Sequence, residues 1–368
     1  MKINLVDFFF ALALFVIFLI GKHLIPLSLV GESGFFSLFI FYFLLCFLFF
    51  FINKTLLPFL LALLAVPSFL VGEFNVFGVY KIINSLLSVS IIVCIFFLYK
   101  KRIDFNRSML YFSFLLGVYV LLIVFYMFFF RGWGGGERIV MGLNGPITFS
   151  RFSLLVCLIV FLYYDGKFKI LIALLFFIIG VVMASKGPLL ACVISIMYYY
   201  VDFKKIRGGR VFGFLFFLLA AFYLIDYFSP RITQFFSDII SFAFSLDASI
   251  LLSNNNSGSV GARWYEWLHA IEVFRNNPSG IGVGNWSKYG EHLYPHNLIL
   301  EILVEFGFLG FYLLFIIYYY FLSIKNIKLK AIILFVFLNS LFSGSFVDNS
   351  FLFVFLVIGR LGYVRKYN

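Results

Sequence analysis

The sequence predicts an all-α polytopic membrane protein, with about twelve transmembrane helices and one large outer segment carrying short amphipathic helices. Three observations predict it. Of 368 residues, 64% are hydrophobic and only 12% are charged, against roughly 25% charged in a soluble domain. Several apolar runs approach or exceed the ~18–20 residues needed to cross a ~30 Å hydrocarbon core. A water-soluble fold of this composition would expose more apolar surface than water tolerates. The 57 Phe and 22 Tyr read as lipid-facing bulk and interfacial anchors.

The first apolar run, residues 5–20, follows Lys2. Ala11 and Ala13 lie mid-run and no cleavage site follows, so it reads as a retained span rather than a signal peptide. Further runs lie at 35–52, 55–71, 82–99, 109–130 and 152–164, then at 170–185, 188–201, 211–228, 297–322, 331–347 and 351–364. Alternate connections collect the cations. They hold Lys54, the Lys100–Arg102 cluster with Arg107, Lys167 and Lys169, Lys204 to Arg210, Lys325 to Lys330, and the Arg365–Lys366 tail. The positive-inside rule puts these connections, and both termini, in the cytoplasm. No internal repeat or soluble domain interrupts the pattern, and residues 1–368 read as one integral membrane domain.

Two outer connections are long. Residues 131–151 are glycine-rich and carry Arg131, Arg138 and Arg151. Residues 229–296 form the large outer loop, of a length that usually signals function. Within it, Phe235, Ile239, Phe242 and Leu246 recur at helical spacing between Arg231 and Leu252, as in a helix lying on a membrane surface. A second helix is predicted from about Ala262 to Asn276, ended by Asn277-Pro278 and Gly280. Its apolar stripe is Trp264, Trp267, Leu268, Ile271 and Phe274, with Arg263 and Glu266 off the stripe.

Several function classes fall away. The net charge of +12 is dispersed over short loops with no basic stripe, which argues against nucleic acid. Cys46, Cys94, Cys157 and Cys192 sit singly inside apolar runs and have neither metal nor disulfide spacing. Gly280, Gly282 and Gly284 imitate a nucleotide loop, but no strand precedes them, and a tight turn is the better reading. No acid-x-acid triplet occurs, which disfavours a metal-dependent nucleotide-sugar transferase, and no metal or cofactor is expected.

The chemistry-bearing residues gather at the outer edge. His296 and Asn297 stand where the long loop meets the next span, and Pro295 favours an extended entry. Unpaired N–H groups at such a helix start attract anions, and the imidazole can donate to a phosphate or accept a proton. Arg263 offers a bidentate fork for phosphate. Lys186, in A-S-K-G-P, is a cation near the hydrocarbon boundary, costly there without a partner. Arg151 closes the arginine-bearing loop. Glu301 and Glu305 share one helical face. Each also has a plain structural alternative: an interfacial histidine, snorkelling arginines, a charged turn, and acids favoured by the helix dipole.

Together, R-W-Y-E-W (Arg263–Trp267), N-P-S-G-I-G-V-G (Asn277–Gly284) and P-H-N-L-I-L-E-I-L-V-E-F-G-F-L-G (Pro295–Gly310) resemble the O-antigen polymerase/ligase superfamily of bacterial inner membranes. S-K-G (Ser185–Gly187) is similar to that family's serine-basic-glycine element, with lysine where arginine is commoner. The resemblance covers roughly residues 180–310. It implies a metal-independent, inverting glycosyltransferase of the GT-C type, whose donor is an undecaprenyl-diphosphate-linked oligosaccharide. Arg263 and Lys186 would hold the diphosphate, with Arg151 as a third cation and His296 as acceptor base or diphosphate ligand. Asn297, Glu301 and Glu305 would support them. A polymerase is the first expectation and a ligase acting on lipopolysaccharide core the second; a lipid-linked-oligosaccharide flippase is the alternative from another class. Membrane lipid and a chain-length regulator are the partners such an enzyme implies.

Overall fold

A computed structural model describes residues 4–20, 75–99, 101–130, 146–182, 185–200 and 258–363. These form eleven α-helices, one short 3-10 turn and no strand among the described residues. The predicted runs at 35–52, 55–71 and 211–228, the stretch 231–252, Arg131 and Arg138 lie outside them. The chain divides into two compact units, Met109–Trp264 and a second that joins Met1–Ser108 to Tyr265–Asn368.

The joined unit begins with α1 (Leu5–Ile20) and α2 (Val76–Tyr99), which pack on each other. Asp7 on α1 is wholly buried, and its Oδ1 accepts the Asp104 backbone N–H at 2.7 Å. The Arg107 guanidinium lies 3.8 Å from its other oxygen. A buried carboxylate is tolerable only when paired in this way. Asp104 in turn caps the start of α3 (Phe105–Phe130) by accepting from the N–H groups of Asn106 and Arg107. Both α2 and α3 are long and apolar enough to cross a membrane.

From Met109 onward, α3 belongs to the other unit, with α4 (Pro146–Tyr163), α5 (Lys169–Val182) and α6 (Lys186–Tyr200). Its helices approach through small residues. Ser153 Oγ donates to the Phe176 carbonyl at 2.6 Å and Ser150 Oγ to the Gly180 carbonyl at 2.9 Å. A Cβ on Gly180 would lie 2.6 Å from Leu154 Cγ. Close backbones and hydroxyl–carbonyl bonds are how helices associate where apolar burial distinguishes little between protein and lipid.

The joined unit resumes with the C-terminal part of α7 (Gly258–Asn276), then α8 (Leu298–Phe306), α9 (Phe308–Ser323), α10 (Ile327–Ser340) and α11 (Ser350–Tyr363). Residues Leu352 to Val357 of α11 are buried on every side, as befits a helix enclosed by α2, α9 and α10. Two expectations need correction. The single run predicted at 297–322 is two helices, because Gly307 (φ 60°, ψ −140°) breaks it. The run at 331–347 begins earlier and ends at Ser340, where turns take over. Hydropathy registers the apolar content of such runs but is blind to a backbone break inside them.

Candidate functional site

The last part of α7 packs inward through Ala270 and Val273, against Ile281, Trp286 and Val304. The expected stripe is only partly right. Trp264, Leu268 and Ile271 are largely exposed, while Trp267 and Phe274 are half-buried. Small and branched side chains let α7 come close, whereas the large ones are left outside.

Past α7 the glycines at 280, 282 and 284 adopt φ of 93°, 86° and 79°. Their loop wraps the end of α8. The Ile281 N–H donates to the Val304 carbonyl at 2.9 Å and the Gly282 N–H to that of Glu305 at 3.2 Å. Those are the carbonyls a helix end leaves unsatisfied. A Cβ on Gly284 would meet the Gly78 backbone at 2.4 Å. From the other side, Asn75 donates to the Gly284 carbonyl at 2.8 Å while accepting from Phe77 N–H at the start of α2. With the Gly280 N–H on the Asn277 carbonyl and the Gly284 N–H on Glu305, four of the glycine motif's amides are spent inside the protein, which argues against a phosphate cradle.

That wrapping encloses an ion cluster. Lys81 of α2 is fully buried, and its Nζ donates to both oxygens of Glu305, at 2.7 and 2.9 Å. Glu301 contacts the same ammonium. Glu305 also accepts the Gly284 N–H at 3.0 Å, and Glu301 the Phe346 N–H at 2.8 Å. The four-residue spacing of the glutamates on α8 is what aims both at one lysine. Sequence reasoning placed Lys81 at the edge of a span and passed it by. The available signal was a lone cation in a long apolar helix, which is costly without a partner.

The start of α8 differs. Asn297 Oδ1 accepts from the N–H groups of Ile299 and Leu300, at 3.0 and 3.3 Å. It is an N-cap, so these donors, expected to attract an anion, are occupied by the chain itself. His296 has φ 53°, a left-handed conformation rare for a residue with a Cβ. Its ring lies edge-on to Tyr294 at 4.6 Å and to His292 at 5.0 Å between centroids. His292 Nδ1 in turn contacts Glu266 Oε1 of α7. The candidate ligand atoms of Glu266, His292 and His296 all lie within 4.8 Å of one another. Glu266 and His292 were not among the expected site residues, since their convergence requires α7 to fold back beside the segment before α8.

Of the residues expected to form the site, Glu301 and Glu305 come together on Lys81, and His296 meets His292. Arg263 is partly exposed on α7, one turn before Glu266, and falls within Met109–Trp264. Arg151 belongs to the same unit and stands inside α4, because that helix starts at Pro146. Lys186 is the first residue of α6 and follows the buried Ser185.

Residues 171–316 match the family described as O-Antigen ligase. The match covers less than half of the chain and agrees with the O-antigen polymerase/ligase superfamily read from its motifs. It supports a membrane enzyme with a polysaccharide polymerase or ligase role, acting on lipid-linked glycans. A search of curated proteins found no significant match.

Proposed function

We propose that this protein is a polymerase of O-antigen or a related surface polysaccharide, joining undecaprenyl-diphosphate-linked repeat units on the periplasmic face of a bacterial inner membrane. The observation that carries this reading is the family match, whose span contains Lys186, Arg263 and His296. The chain would be one multi-pass domain of about twelve spans, with both termini cytoplasmic and the 229–296 segment outside.

The residues suit a metal-independent, inverting GT-C transfer. An acceptor hydroxyl attacks the anomeric carbon as the carbon–oxygen bond to the diphosphate breaks. His296 takes the hydroxyl proton or hydrogen-bonds the departing diphosphate. Arg263 and Lys186, with Arg151, stabilise the charge that grows on it, the kind of electrostatic contribution often worth several kcal/mol. Asn297 holds the His296 corner, while Glu301 and Glu305 support α8 from behind. A chain-length regulator is the partner such a polymerase implies.

The test is glycan extension by His296→Ala and Arg263→Ala at matched expression. Losses of about 10²–10⁴ are expected for the imidazole and about 10²–10³ for the guanidinium. Wild-type extension by both variants would remove the site assignment.

The family description itself favours a second reading, a ligase that moves the finished glycan onto lipid A-core. A deletion strain separates the two on a gel: a missing polymerase leaves one repeat unit on the core, a missing ligase none. A flippase would need polar groups spaced along a pathway. The buried Lys81–Glu301–Glu305 cluster instead closes on itself and on the amides of Gly284 and Phe346.

A further inference from the structure

We infer that Glu266, His292 and His296 form a binding site for one divalent transition-metal ion of the zinc class. Three features argue for it. One carboxylate oxygen and two imidazole nitrogens lie within 4.8 Å of one another, close enough for all three to reach one ion at bonds of about 2.0–2.2 Å once the Glu266–His292 contact opens to admit it. The ligands come from two separate segments, α7 and the turn before α8, so the cluster is a product of folding rather than of sequence adjacency. The His292 and His296 rings sit edge-on with centroids 5.0 Å apart, which keeps both imidazoles at one corner beside Glu266.

The donor set selects the ion. Two imidazoles and one carboxylate suit zinc, cobalt or nickel, whereas calcium and magnesium prefer all-oxygen shells. Three protein ligands leave a tetrahedral ion one open position, and His292, 52% exposed, lies on the solvent side. The left-handed backbone at His296 fits a side chain held by tertiary structure in one direction, as a ligand must be.

The ion is a regulator of the proposed transfer rather than part of it. A metal on His296 removes the lone pair that would accept a proton, so occupancy switches extension off. That consequence rests on the proposed role of His296; the site itself does not.

The test uses the full chain, purified in detergent and stripped with a chelator, then titrated with Co²⁺. One Co²⁺ per chain is expected, with the visible absorption of a four-coordinate ion, displaced by Zn²⁺ and not by Mg²⁺. Glu266→Gln and His292→Ala should each abolish that spectrum while eluting as folded protein, and His269→Gln, outside the cluster, should keep it. X-ray absorption of the Zn²⁺-loaded wild type should show two imidazoles and no sulfur, a result independent of any variant. The inference is overturned by an absence of saturable binding, by both variants titrating as wild type, or by other ligation. Zn²⁺ should also stop glycan extension reversibly. Saturable binding that leaves extension untouched would keep the site and dismiss His296 from the transfer.

Discussion

The inner face of α8 and the turn before it lie only a few residues apart and meet opposite demands. Along the inner face of α8, from the first turn to the last, Glu301 and Glu305 share a buried lysine, and every partner is supplied by the fold. At its N-terminal end, His296 stands in a strained turn among partly exposed polar groups. One motif, Pro295–Gly310, therefore contains both the corner proposed to react and the scaffold that holds it. The lesson is that a family signature is not a list of catalytic residues. Its carboxylates and glycines act here on the architecture, while His296 and Asn297 remain partly exposed.

The comparison can be broken most severely at Gly307. An alanine there would meet the Ser279 carbonyl carbon at 2.2 Å and would have to hold φ 60°, ψ −140°. Gly307→Ala should yield little folded protein, judged by detergent-stable monodisperse yield; a normal yield would contradict the close packing of the loop on α8.

Next comes Lys81→Met, which leaves two carboxylates buried side by side without their cation. Breaking a buried pair in this way costs about 3–5 kcal/mol. The expected outcome is a large fall in thermal unfolding temperature, partly restored when Glu301→Gln is added. A stability equal to wild type would show that the cluster is not what braces α8.

His296→Ala sharpens the contrast from the other end. It should lower extension by about 10²–10⁴ while leaving the unfolding temperature close to wild type, since the partly exposed imidazole is removed and the Cβ that the left-handed backbone already carries is kept. Loss of stability comparable to Lys81→Met would erase the distinction between corner and scaffold.

The smallest effect belongs to Asn297→Ala. Losing the N-cap should destabilise by about 1 kcal/mol and lower extension through displacement of His296, with the lipid-linked donor still bound. An unchanged activity would detach Asn297 from the site.

Much of this was legible beforehand where the signal was local. The helical class and the end of α7 at Asn276 follow from composition and Asn-Pro punctuation. The glycine motif was recognisable as a turn, but not as the cap of α8. The glutamate pair was visible as a pair, but its partner, 220 or more residues away in sequence, was not. A shorter separation of 26 residues, closed only by the fold, likewise hid Glu266 from His292.

What the residues alone determined is the class of molecule: an apolar helical chain with its polar chemistry concentrated before α8, since helix and hydropathy depend on neighbours within a few turns. What tertiary structure decided is which polar groups are spent and which remain for chemistry. That division depends on packing between segments far apart in the chain: only when α2 approaches α8 does Lys81 claim both glutamates, and only when α7 returns beside residues 292–296 does Glu266 meet the histidines.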